Sequence, residues 1–351
     1  MSVIRVLAAD RGSRPKVWLA RTAVAAVTLL AVVLLWRTLS AYDYAEVVKS
    51  VRAVPPERFL MALGFAAASY LCLSMNDWLA LFYARYPLPY RTAALTSFVA
   101  LSFGHNIGFA ALSSGAIRYR FYSRIGLGAE EVAKIIVFCG TTVLLGMCVL
   151  GVVALLAQPD LAAEFLHLSK GATVILGAGL ALVPASYLVL AAFLRRRLTL
   201  FRWTIEMPAF GLALAQIAVG TLNFMFVGGC LYALVSAVGA VSYFAVLYAF
   251  ILANAATILT HVPGGLGVIE TVVLLILRTP DLIGPVLVFR FVYFLVPLAI
   301  GAIVFALSEA SLRRAPAKDH GRLAFTTAGR GERRAPSAAA VPADREGAYR
   351  T

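Results

Sequence analysis

Two stretches of this chain place polar chemistry inside otherwise apolar sequence. The first is His261-Val-Pro-Gly-Gly-Leu-Gly-Val-Ile-Glu270, with Arg290 following a few residues into a long apolar run. In a low-dielectric setting Glu270 and Arg290 each need a partner or water. They either pair with each other, or Glu270 is solvated in a tight turn near the headgroups and Arg290 snorkels outward. The second stretch runs from His105 and Asn106 through Ser113-Ser-Gly-Ala-Ile-Arg-Tyr-Arg-Phe-Tyr122. Arginine is the natural bidentate ligand of phosphate, so Arg118 and Arg120 read either as headgroup ligands or as plain positive-inside arginines. Gly115 just upstream would leave room for a headgroup. His105 and His261 are of the type that titrates near neutral pH. The chain has four histidines, and none has HxH or HxxxH spacing, so no metal site is expected. Asn106, Asn223, Asn254 and Gln216 serve as interhelical glue or line a site. No nucleophile, base and orienter stand in a recognisable pattern, and neither a Walker A motif nor GxGxxG occurs. Covalent chemistry, a bound cofactor and ATP-driven pumping are therefore not expected.

The setting of these residues follows from composition. The chain has 351 residues, 61% hydrophobic and only 14% charged, with a mean hydropathy of +0.86. Many separate apolar runs approach the ~20 residues that span a bilayer, more than a soluble core could use. The fold class is all-α: a polytopic membrane protein with about eight transmembrane helices plus re-entrant or broken helices. The net charge of +14 sits in inter-helix loops and the tail, where membrane topology and anionic lipid explain it, and nucleic acid is not an expected partner. Cys72, Cys139, Cys148 and Cys230 all lie in apolar runs without a CxxC pair, and read as small buried hydrophobes.

In order, the sequence predicts a basic cytoplasmic lead over 1–16, a membrane region over 17–310 and a basic disordered cytoplasmic tail over 311–351. The expected helices cover Val17–Trp36, Phe59–Phe82, Ile135–Ala157, Ala172–Leu194, Ile205–Val227, Val241–Leu259, Val268–Leu277 and Val286–Leu307. Gly228-Gly229 is read as a break before a separate apolar piece, Cys230–Ala240. Asp77, toward the end of its run, either reaches the interface or lines a site. Loop charges place the 195–202 segment and both termini inside, and the 158–170 loop outside. The basic loops around Arg85/Arg91 and Arg118–Lys134 also fall inside, so the apolar 92–112 segment between them must dip in and return.

That segment has an echo downstream. Phe103–Gly115 and Asn254–Gly265 each carry an Asn in apolar sequence, then a small-residue break, then a charge. Interrupted segments in paired positions are the mark of inverted-repeat transporters. Pro263, Gly264, Gly265 and Gly267, with Gly115 upstream, are the expected hinges, because proline removes a donor and glycine accepts unusual backbone. Charge counting puts both breaks near the cytoplasmic side.

Ser114-Gly-Ala-Ile-Arg-Tyr-Arg-Phe-Tyr122, Gly126-Leu-Gly-Ala-Glu-Glu-Val-Ala133 and His261–Glu270, in this order, resemble the transmembrane region of the lysylphosphatidylglycerol synthase/flippase family. The resemblance covers roughly residues 15–310. It implies a bacterial inner-membrane protein, with Arg118/Arg120 and His261–Glu270 in its polar centre. Ala116 stands where the family often has a second glycine. The family's aminoacyl-transferase half has no counterpart expected here, so lysyl transfer is not implied. The expected function is translocation of a phospholipid, anionic or aminoacylated, or of a related lipid between leaflets. The alternative is a non-catalytic scaffold or regulator of a separately encoded lipid synthase.

Overall fold

A computed structural model of the chain describes residues 52, 54–107, 110–193, 197–200, 203–279 and 282–314. The lead, the apolar run Val17–Trp36 and most of the tail lie outside the described residues. The helices are α1 Pro56–Tyr83, α2 Tyr90–Ile107, α3 Ala110–Ser123, α4 Ala129–Ala157, α5 Pro159–Leu166, α6 Lys170–Phe193, α7 Phe210–Val235, α8 Tyr243–Thr260, α9 Val268–Leu277, α10 Ile283–Arg290 and α11 Val296–Arg314. A single π turn, Phe291–Leu295, joins α10 to α11. Strands β1 Arg197–Leu200 and β2 Trp203–Glu206 pair antiparallel, Leu200 opposite Trp203. This ribbon replaces the expected loop and the helical start at Ile205. One compact unit ends at Leu307, and Ser308–Thr351 forms a second.

The centre of the bundle is the antiparallel pair α1 and α7. Arg58 donates to Ser236 at one end (3.1 Å) and Ser69 to Asn223 at the middle (2.7 Å). Helix α7 runs unbroken through Gly228-Gly229, against the expected break. A Cβ on Gly228 would stand 2.8 Å from a Leu247 methyl carbon, and one on Gly229 would stand 3.1 Å from the Phe65 ring. These glycines let α8 and α1 approach closely, the usual service of small residues between membrane helices. The tightest crossing is α4 on α7, where a Cβ on Gly146 would lie 2.5 Å from the Gly220 carbonyl carbon.

Helices α2 and α3 form an antiparallel hairpin. Ala93 near its open end shares a cluster with Tyr122, and Val99, Ala100 and Phe103 share one with Ile117, Leu298 and Phe305. Its open end lies with the basic loops: Tyr83 Oη donates to Glu206 O (2.7 Å), Arg85 pairs with Glu206 (2.6 Å), and Tyr86 Oη donates to Ile125 O (2.9 Å). The opposite end of the bundle is tied by Arg278–Glu164 (2.7 Å) and by Gln158 to Ser242 (3.2 Å).

Among the described residues six helical stretches are long and apolar enough to cross a membrane: Pro56–Tyr83, Ala129–Ala157, Lys170–Phe193, Phe210–Val235, Tyr243–Thr260 and Ile283–Ser308. The expected count of eight is therefore not reproduced. It counted Val17–Trp36, outside the described residues, and Val268–Leu277. The ten residues of the latter rise only ~15 Å, about half of the hydrocarbon thickness. All four cysteines are buried and free.

The crossing makes a test. Gly146→Ala sets a methyl against backbone that has no room to yield, so the purified protein should lose about 5 °C or more of Tm in detergent. Gly177→Ala, with nothing within 4 Å of the added carbon, should leave Tm within about 2 °C.

Candidate functional site

Helix α8 ends at His261, which takes a left-handed conformation (φ 53°). The chain then turns through Pro263–Gly265 and enters α9 from Gly267. Gly264, Gly265 and Gly267 all have positive φ (62°, 59° and 78°), which side chains with a Cβ rarely adopt. This concentration of glycine lets the turn present two successive carbonyls to one cation. Arg290 Nη1 donates to Gly264 O (2.7 Å) and Nη2 to Gly265 O (2.9 Å). The same guanidinium grips Glu270 bidentately, Nε to Oε1 (2.5 Å) and Nη2 to Oε2 (2.9 Å). Both side chains are buried, at 4% and 8% exposure, and the guanidinium carbon lies 5.4 Å from the centre of the Phe294 ring. Of the two readings open to Glu270 and Arg290, the structure shows the pair.

The α2–α3 hairpin brings its tip to this turn: a Cβ on Gly264 would lie 3.5 Å from Asn106 O. The two interrupted segments, about 150 residues apart in the chain, thus meet. Asn106 Nδ2 donates to Ser102 O (2.8 Å) and across to Phe294 O (3.3 Å). Tyr293 O is reached by Tyr70 Oη (3.4 Å); its α-helical donor would be the nitrogen of Pro297, which carries no hydrogen. His105 stacks on Tyr293 (6.0 Å, 20°) and meets Tyr70 edge-on, and its Nδ1 is buried without a partner.

A second buried fork stands on α3. Arg118 Nε and Nη2 donate to Asp77 Oδ1 and Oδ2 (2.7 and 2.8 Å), and Nη1 donates to Ser114 Oγ (2.7 Å). Asp77 is fully buried, so its carboxylate does not reach solvent. Helical geometry separates the two arginines, since residues two apart point to nearly opposite sides. Arg118 faces inward, Arg120 is half-buried, and Tyr119 between them is exposed. The room beside Gly115 is taken by Ile136, whose Cδ1 would stand 2.6 Å from an added Cβ. Asn254 is half-buried on α8 and makes none of the hydrogen bonds that build the Arg290 cluster, and His261 is exposed with Nδ1 3.1 Å from Leu259 O. The sequence reading missed Asp77 as the partner of Arg118. The signal was present: a carboxylate inside an apolar run demands a cation, and Arg118 follows an equally apolar helix.

Among the described residues no group of three His, Cys, Asp or Glu side chains is placed to hold a metal. The arrangement, two buried arginine forks and two chain breaks meeting inside a helical bundle, is that of a polytopic membrane protein whose polar centre positions charge and carries no catalytic constellation among the described residues. The chain belongs to the family described as the lysylphosphatidylglycerol synthase TM region, whose model matches residues 18–301. It is 30% identical over 284 residues to the inner membrane protein YbhN of Escherichia coli, covering 79% of this chain and 88% of that protein. It is 29% identical over 273 residues to the uncharacterized protein slr0712 of Synechocystis sp., covering 76% and 84%. Membership places the chain among membrane proteins of lipid-related function.

The Arg290 fork yields a stability test. Arg290→Met leaves a buried carboxylate and two turn carbonyls without their donor, and should cost ~3–5 kcal/mol. Combining it with Glu270→Leu removes the orphaned charge, and the double variant should recover a large part of that loss in thermal unfolding of the purified protein. A double variant as unstable as the sum of the singles would show that the two side chains do not act as a pair.

Proposed function

We propose that this protein moves a phospholipid or related lipid between the leaflets of a bacterial inner membrane. The observation that carries the reading is the meeting of two interrupted segments at Arg290. The α2–α3 hairpin enters from the basic end of the bundle. The α8–α9 pair enters from the end that holds Arg278 and Glu164. Segments that enter from opposite sides and stop inside are what an inverted repeat places at a transport site. In this reading both pairs are re-entrant, the basic end is cytoplasmic, and α1, α4, α6, α7 and α10–α11 cross the membrane. Alternating access then needs a contact that opens from either side, and the Arg290–Glu270 fork with its two turn carbonyls is that contact.

Headgroup capture falls to the arginines near the hairpin's open end. Arg120 is half-buried beside the basic loops. Arg118 can receive a phosphate only by exchanging it for the Asp77 carboxylate, one bidentate anion for another. That exchange favours an anionic lipid, and an aminoacylated headgroup is compatible with it through Asp77, which is freed as the phosphate arrives. The inner-membrane label of YbhN and the description of the family support the lipid and the location.

The test is reconstitution into liposomes carrying a leaflet-specific phosphatidylglycerol reporter. Wild-type protein should accelerate exchange over empty vesicles. Glu270→Gln with Arg290→Gln, which uncouples the fork while keeping hydrogen bonding, should reduce the rate by roughly tenfold, the scale of one lost charge-assisted contact. Equal exchange in protein-bearing and empty vesicles, across anionic and aminoacylated reporters, would rule the reading out.

A further inference from the structure

His105 stands beside the contact between hairpin and turn and takes part in neither arginine fork. The next residue, Asn106, ties the tip of α2 to Phe294 O (3.3 Å) and lies against Gly264. The imidazole is packed among three rings. Tyr293 stacks on it at 6.0 Å, and Tyr70 and Phe294 meet it edge-on at 6.1 and 6.3 Å. Its Nδ1 is sealed without a hydrogen-bond partner. Its Nε2 has no partner among the described residues either, but it is not sealed. A neutral ring suits this setting, with its hydrogen on the open Nε2 and a bare nitrogen inside.

A protonated ring does not suit it. Histidinium carries an N–H at both nitrogens whichever tautomer it came from. The sealed Nδ1 then becomes a donor without an acceptor, on a charged group, which is the costliest kind to leave unanswered. The aromatic faces do not replace that acceptor, because all three ring centres stand at or beyond the ~6 Å reach of a cation–π contact. Nor do the titratable and charged groups around the ring supply a counter-charge. Tyr70 faces it from α1 and Tyr293 from the π turn. Arg118 acts on it from α3, and Arg290 lies against the Phe294 ring. The glycine turn contributes no ionisable side chain, and α11, which meets α2 at Gly301 and Ser102, has none before Glu309. Asp77 and Glu270 are each already held by an arginine fork.

We propose that His105 is a proton-operated latch on the contact between hairpin and turn: the neutral ring holds the α2 tip against the glycine turn, and protonation expels the ring and parts the two. The bond that must break is the lighter of the two that Asn106 makes, 3.3 Å to Phe294 O against 2.8 Å to Ser102 O within its own helix. The tip can therefore leave with α2 intact. Once out, the ring takes its proton with the ordinary histidine pKa of about 6.5, so each pH unit below that favours the parted arrangement by up to about another tenfold. The latch does not depend on lipid translocation, since it rests on the hairpin–turn contact alone.

The test is a distance between two spin labels on the full chain in nanodiscs of phosphatidylglycerol and phosphatidylethanolamine. The labels go on Leu112→Cys, in the first turn of α3, and Leu259→Cys, just before the glycine turn, both exposed positions (76% and 79%). The four native cysteines are buried, and protein without the two added ones reads any background labelling. At pH 8 a single narrow distance is expected. At pH 5 a longer one joins it, with a population relative to the first at least about tenfold above that at pH 8. His105→Phe keeps the aromatic packing but cannot titrate, and should hold the pH 8 distance at both values. His105→Gln, also without a titrating group, serves the same purpose if the Phe variant does not fold. His261→Asn, which removes the exposed histidine nearby, should keep the wild-type response. Distances alike at pH 8 and pH 5 in the otherwise wild-type chain, or a response that survives without His105, overturn the proposal.

Discussion

The Arg290–Glu270 fork is the contact on which the polar centre depends. One guanidinium satisfies a carboxylate from α9 and two carbonyls of the turn before it, all inside an apolar bundle. Remove the cation, and the turn has no donor for backbone that neither helix nor water would satisfy. The turn in turn is what seats the hairpin tip, because Gly264 lies against Asn106. A buried ion pair of this kind is weak evidence for net stability, since desolvation offsets most of its attraction. Its worth here is positional: it fixes where two interrupted segments meet.

The second fork repeats the design with different parts. Arg118 and Asp77 use the same two guanidinium nitrogens on a carboxylate, and the third reaches a serine one turn back on the same helix. Here the pair ties the hairpin to α1 instead of bracing a turn. The bundle thus holds its two least regular pieces, hairpin and turn, by charge as well as by packing. The long helices around them are held by glycine crossings at Gly146, Gly220, Gly228 and Gly229.

Much of this was legible in the sequence. Apolar runs of membrane length, a Pro-Gly interruption and a lone arginine in an apolar helix are strong signals because lipid penalises each of them unless structure answers. The Glu270–Arg290 partnership was one of two readings. The charges of the loops bracketing 92–112 implied a segment that turns back; the chain does fold back there, but its returning limb is α3, Ala110–Ser123, so Arg118 and Arg120 lie on a helix and not in a loop. What failed to show were features set by neighbours. Gly228-Gly229 has the composition of a break and the structure of a contact, and only the nearness of Phe65 and Leu247 distinguishes them. Val268–Leu277 is as apolar as a spanning helix, and length alone demotes it. Asp77 is ambiguous until the hairpin folds back and delivers Arg118, a contact between residues 41 positions apart.

The π turn at Phe291–Leu295 has a consequence for how the last helix is read. A π turn accommodates one residue more than an α turn, which offsets everything beyond it by about 100° around the helix axis. A heptad or helical-wheel projection drawn straight through α10 and α11 would put Leu298 and Phe305 on the wrong face, although both are buried against the hairpin. Homologous chains that differ by a single inserted or deleted residue within 291–295 would therefore align poorly by apolar pattern while keeping the same faces in contact. The phase of this helix is best compared separately on each side of Pro297.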